Sequence, residues 1–219
     1  MARLDQARIV EAALELLGDE GLSGVTTRKV AAKLGIKSAS LYWYIRDREH
    51  LLDLLSDRIV ADARWPRESA TWRVKIERLM REYLRCLEAY PDAARVVAGR
   101  APSGPIRLRG AETLLSALLD AGLPERAAID AGLVLTTFVV GFALELEAGD
   151  ESARAGDSLD ASFRTMYPTL TRLAAQVVPG STSARFGAGL KLILDGIEAR
   201  IAAAAKTRRR RQRNYNLAP

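Results

Sequence analysis

Apolar residues recur at helical spacing along almost the whole chain. Ile9, Ala13, Leu16 and Leu17 fall at i, i+4, i+7 and i+8, which predicts a first helix over 5–20, ended by Gly21. Val30 and Leu34 share the buried side of a short second helix, capped by Thr26 or Thr27. Gly35 suits the left-handed end of that helix, and Ile36 folds back onto the core. Ser38 is expected to cap a third helix with Leu41 and Ile45 on its buried side. Asp47 caps a fourth, which runs through Leu51, Leu52, Leu55 and Ile59 to residue 63. Beyond a break at Pro66, the pattern predicts helices over 69–90, 92–98, 106–121, 124–148, 159–177 and 183–206. Pro91, Gly122 and Pro124 punctuate them, residues 99–105 form a loop, and 149–158 read as a mobile polar loop. With no β pattern and no internal repeat, the fold class is all-α.

Residues 26–48, TTRKVAAKLGIKSASLYWYIRDR, read as two short helices joined by a tight turn. The outward positions are Lys37, Ala39, Ser40, Tyr42, Trp43 and Tyr44, with Arg46 and Arg48 just beyond. Hydroxyl groups bond phosphate oxygens and cations neutralise them. Small residues at the start of a helix let it approach base edges, and an alanine methyl can meet a thymine methyl. Arg28, on the preceding helix, could reach either a guanine edge or a phosphate. The alternative is a plain helical hairpin with a solvated face. Three successive aromatics weigh against it, because they cannot all face one core.

Charge sharpens this picture. The chain has a formal charge of +6, but Lys206, Arg208, Arg209, Arg210, Arg211 and Arg213 account for all of it. The footprint that bears on DNA is local: residues 26–50 carry a balance of +4. A lone cysteine, Cys86, excludes an intrachain disulfide, fits a reducing cytoplasm and reads as a small core residue. There is no run of about eighteen apolar residues, so no membrane span or membrane partner is expected. One histidine and one cysteine, with no triad, phosphate-cradling glycine loop or metal cluster, argue against an enzyme and against a cofactor.

The segment from MARLDQARIVEAALELL through TTRKVAAKLG to LYWYIRDREHLLDLL resembles the N-terminal domain of the tetracycline-repressor (TetR) family, and most closely the tetracycline-repressor branch. The resemblance implies a helix-turn-helix domain over 1–50 and a helical ligand-binding and dimerisation domain over 51–206; it implies nothing for the basic tail over 207–219, which reads as a disordered, solvated extension from its charge run. It implies operator contacts at Thr27, Arg28, Lys37, Ser38, Ala39, Ser40, Tyr42, Trp43, Tyr44 and Arg48. The chain departs from the branch at Lys37, Ser38, Ala39 and Ser40, so the operator sequence does not carry over.

The same resemblance implies that the helices over 124–148 and 183–206 pair with their copies in a homodimer. Two recognition helices would then meet two half-sites of one duplex. It also implies a small-molecule inducer in a mainly apolar cavity, with Arg64, Met80, Tyr83, Arg100, Phe138, Phe142, Glu145 and Tyr167 as candidate contacts. Where the branch places a magnesium-binding His, this chain has Val97, so no metal site is expected. An anionic or polar aromatic compound would suit Arg64 and Arg100. The resulting expectation is a cytoplasmic, homodimeric, ligand-responsive repressor. The rival is a helical scaffold whose basic tail binds nucleic acid.

Overall fold

Three side chains set the first helix starts. Asp5 accepts from the Arg8 N–H at 2.9 Å, Thr26 from Lys29 at 3.2 Å and Asp47 from His50 at 2.7 Å. Each satisfies an N–H that the helix itself cannot. The computed structural model describes residues 4–66, 70–152, 165–174 and 182–215, with 149–152 and 210–215 by backbone alone. Its helices are α1 Gln6–Glu20, α2 Thr27–Lys33, α3 Ser38–Leu41, α4 Arg48–Ile59, α5 Trp72–Leu87, α6 Ala93–Val97, α7 Pro105–Asp120, α8 Glu125–Ser152, α9 Pro168–Ala174 and α10 Thr182–Tyr215. A single 3₁₀ turn, Leu22–Gly24, follows α1, and no strand occurs among the described residues.

Helices α1–α3 form a small head. Ile9, Leu17, Leu41 and Ile45 are buried in it, and α4 continues the same apolar cluster into the body through Leu51 and Leu55. There Ile76, Met80 and Leu87 of α5, Leu118 of α7, Leu135 of α8 and Phe186 of α10 complete one core. The Cys86 thiol is buried in it, and burial pushes its pKa up, as befits a packing residue.

Several sequence expectations change. Ser38 is the first residue of α3 rather than its cap; Lys37 holds the cap position without a side-chain bond. Helix α3 spans only four residues, and Tyr42–Tyr44 form a turn. Four successive residues with restricted side-chain rotamers, Tyr42–Ile45, propagate a helix poorly, and Asp47 starts the next one at once. Helix α4 stops at Ile59, short of residue 63, and α8 runs to Ser152, into the stretch read as a loop. Of the helix expected over 159–177, residues 159–164 and 175–177 lie outside the described residues.

The largest change is at the C-terminus. Helix α10 continues to Tyr215, so most of the basic segment is helical rather than disordered. Ala202–Ala205 and the Lys, Arg and Gln that follow are strong helix formers, with no glycine or proline before Pro219. Residues 216–219 lie outside the described residues.

Helix α8 is also long and apolar enough to cross a membrane by length and composition, although Thr136, Thr137 and Glu145 interrupt its apolar run. It instead packs on α5, α7, α6 and α10. Its remaining apolar side chains, Ile129, Leu133 and Val134, are exposed in the single chain, as is Leu192 of α10.

Candidate DNA-reading head and ligand cavity

The turn between α2 and α3 is closed by two backbone bonds. Gly35 N–H donates to the Ala32 carbonyl at 3.0 Å, and Ile36 N–H donates to Ala31 at 3.0 Å. This double closure needs a left-handed residue at its centre, and Gly35 has φ +68. We expect Gly35→Ala to cost about 1–2 kcal/mol, the penalty of an L side chain in that region. Urea unfolding of the two proteins checks it; equal midpoints would contradict the assignment.

Beyond the turn, Lys37, Ala39, Tyr42, Trp43 and Tyr44 are exposed, Trp43 most of all at 88%. Ser38 and Ser40 are half-buried, while Leu41 and Ile45 anchor the segment from below. Gln6 holds the turn in place by donating to the Tyr44 carbonyl at 3.2 Å. Three successive exposed aromatics, Tyr42, Trp43 and Tyr44, make a contiguous patch of the kind that marks an interaction surface.

The local charge divides into two groups. Lys29 pairs with Glu20, and Lys33 with Glu15 at 2.9 Å and Asp19 at 3.6 Å, so both are tied to α1. Arg48 donates to the Val25 carbonyl at 3.2 Å and lies 3.7 Å from Glu49. Arg28, Lys37 and Arg46 are exposed and make no ion pair among the described residues. Thr27 is the half-buried first residue of α2. Arg46 is therefore as well placed as the expected contacts, a point that spacing alone did not single out. His50 is a local acceptor: its Nδ1 takes the Arg46 N–H at 3.1 Å.

In the body, a cavity of about 630 Å³, wide open to solvent in the single chain, lies beside α8, lined by Leu133, Val134, Thr137, Phe138, Gly141, Phe142 and Glu145 of α8 and Ile193 of α10. Phe138, Phe142 and the buried Phe186 form an aromatic cluster, with ring centroids 5.2–5.9 Å apart. Gly189 makes room for it, since a methyl there would lie 2.6 Å from the Phe138 ring.

Three of the expected ligand residues, Phe138, Phe142 and Glu145, come together here; the others do not line this cavity. Met80 is sealed in the core. Burial pushes the Tyr83 hydroxyl pKa up, against the pull of the Arg107 guanidinium. Arg64 and Tyr167 are exposed. Arg100 is committed elsewhere, to Glu49 at 2.5 Å, Asp53 at 2.8 Å and the Val96 carbonyl at 2.9 Å. The anionic or polar aromatic ligand expected on account of Arg64 and Arg100 loses the support of Arg100, and neither arginine lines this cavity. Thr137, Gly141 and Ile193 also line the cavity and were not among the expected contacts, because which face of α8 turns to α10 is a tertiary fact.

Body and head are joined by polar contacts. Asp92, in a left-handed conformation at φ 56, accepts the Leu22 N–H of the head at 2.9 Å. Glu147 of α8 accepts the Ala94 N–H at 3.3 Å, and Arg95 lies between the two carboxylates, 3.2 Å from Asp92 and 3.6 Å from Glu147. Burial raises the Glu147 pKa. Asp57 of α4 accepts the Ile106 and Arg107 N–H groups at the start of α7, at 3.3 and 2.7 Å. Among the described residues, no group of three His, Cys, Asp or Glu side chains assembles that could hold a metal ion.

A helix-turn-helix head on a helical body with an apolar cavity defines a one-component regulator. The description "Bacterial regulatory proteins, tetR family" matches residues 9–55, and "Tetracyclin repressor-like, C-terminal domain" matches residues 65–201. The chain is 34% identical to the class C tetracycline repressor protein of Escherichia coli, over 90% of this chain and 92% of that one. Ligand-free ActR from Streptomyces coelicolor superposes with a TM-score of 0.82 at 33% identity, covering 93% of this chain and 99% of ActR. ActR in complex with actinorhodin gives 0.79 at 33% identity, covering 91% and 97%. The chain belongs to the tetR family of bacterial regulatory proteins.

Proposed function

We propose that this protein is a cytoplasmic repressor that binds an operator duplex as a homodimer and releases it when a small apolar, aromatic compound fills the α8 cavity. The observation that carries this reading is the double duty of α8. Its Phe138, Phe142 and Glu145 line the cavity, and Glu147 holds α6, whose neighbour Asp92 holds Leu22 of the head. A ligand that displaces α8 therefore acts on the head through two hydrogen bonds. It shifts the equilibrium only so far as it binds the released arrangement better. The exposed Ile129 and Leu192, outside the cavity lining, supply apolar surface that a second copy covers. Relatives of similar length are repressors, which supports a regulatory rather than a catalytic role.

At the head, the contacts proposed are Thr27, Arg28, Lys37, Ser38, Ala39, Ser40, Tyr42, Trp43, Tyr44 and Arg48, joined by Arg46. The test is a gel shift at fixed salt, with the DNA upstream of the protein's own coding region and unrelated DNA as competitor. A discrete, competitor-resistant complex that is weakened at least about tenfold in Lys37→Ala or Tyr42→Ala, near the low end of one direct contact, is expected. Binding unchanged by both substitutions would overturn the assignment.

A further inference from the structure

The densest charge in the molecule does not lie at the head. The whole formal surplus of +6 sits in residues 206–213, and the chain before them sums to zero. Helix α10 carries this run without a break to Tyr215, whereas the match to the family's C-terminal domain ends at residue 201. At 1.5 Å per residue, α10 is roughly 50 Å long.

Two contacts fix where that run lies. Arg208 donates to the Gly122 carbonyl at 2.6 Å, in the turn that closes α7. A cation there also meets the negative end of the α7 dipole. The opposite end of α7 is bonded to Asp57 of α4. Helix α5 runs the same course. Arg73 at its start holds Asp195 and Glu198 of α10, and Tyr90, just past its end, packs by Gly18 of α1. Each helix is about 24 Å long at that rise. The basic segment is thus held at the end of α7 remote from α4, on the side of the body away from the head.

We propose that the C-terminal segment of α10 is a second, sequence-independent surface for double-stranded DNA. The protein then links the duplex read by its head to another duplex segment. The first contact rests on the function proposed above; the second does not. Five of the six cations are arginines, whose planar guanidinium matches phosphate oxygens in pairs. Lys206, Arg209, Arg210 and Arg213 recur at i, i+3, i+4 and i+7, the spacing of one helical stripe. Arg209 makes no ion pair among the described residues, and the segment contains no acid to compete with phosphate. Residues 207–214, TRRRRQRN, contain no apolar residue, so they lack the buried face of an interfacial membrane helix.

The test uses the full chain carrying Lys37→Ala and Tyr42→Ala, so that the head's share of binding is weakened, with a short random-sequence duplex as probe. Arg208 is retained, because it anchors the helix. R209Q, R210Q, R211Q and R213Q, added together, are expected to weaken binding at least tenfold and to reduce the slope of log K against log salt by about 3.6. Lysine at the same four positions restores both. With the head intact, wild-type protein holds a fluorescent random duplex on beads that carry its upstream DNA, and the four-Gln protein does not. Undiminished binding by the four-Gln protein overturns the proposal. So does a wild-type chain that binds phosphatidylserine vesicles through these arginines but no duplex. A wrong reading of the head appears separately, as upstream binding indifferent to Lys37 and Tyr42.

Discussion

Phe186→Ala is expected to destabilise the protein by about 3–5 kcal/mol, the range for truncating a fully buried phenylalanine. Phe186 is only 1% exposed, and its ring meets Phe138 at 5.3 Å and Phe142 at 5.2 Å. Removing it takes away apolar burial and both ring contacts, and it leaves a hole behind the cavity wall. Gly189 cannot help to fill it, because it is already pressed against Phe138. A protein of this size loses roughly 2–4 °C of melting temperature per kcal/mol, so a fall of about 6–20 °C should be seen by calorimetry. A fall of less than about 2 °C would show that the aromatic cluster is not load-sharing core. Phe186→Leu, which keeps most of the volume, should lie between the two.

Asp57→Ala is expected to cost about 2 kcal/mol, which is larger than a typical surface change. The carboxylate is only 9% exposed, and it caps α7 from another helix by accepting two of the N–H groups that α7 cannot satisfy. Gly104 lies so close that a methyl there would be 2.2 Å from the Asp57 Cγ, so the fit has no slack. Arg107, which also bonds the Ser56 hydroxyl at 3.0 Å, would lose its neighbour. Asp57→Asn keeps an acceptor and should recover part of the loss. Chemical denaturation of the three proteins decides the matter. If Asn and Ala are equally harmful, charge rather than capping is the cause.

The head was legible in the chain because its instructions are local. Asp5, Thr26 and Asp47 cap helices three residues away, and Gly35 closes its turn with Ala31 and Ala32. The cavity was half legible. Phe138, Phe142 and Glu145 lie four and three positions apart, so one helix face presents them together. Arg100 shows where such reading stops. An arginine in a mid-chain loop resembles a ligand contact, yet it is spent on Glu49 and Asp53, which lie 51 and 47 positions away. Nothing in local spacing could reveal that commitment. The four-residue α3 is a similar case, since burial of Leu41 and Ile45 is satisfied by a turn as well as by a longer helix.

The basic segment marks the division most clearly. The sequence by itself determined that six cations follow a neutral chain, and it determined the all-helical class, the helix starts and the helix-turn-helix. Those follow from propensity, capping and periodicity, which act over a few residues. Only the tertiary structure decided that Arg208 meets Gly122, 86 positions away, and that Glu147 and Asp92 join the cavity wall to the head. Those contacts depend on how helices pack, and packing is set by the shapes of all the faces together rather than by any one of them.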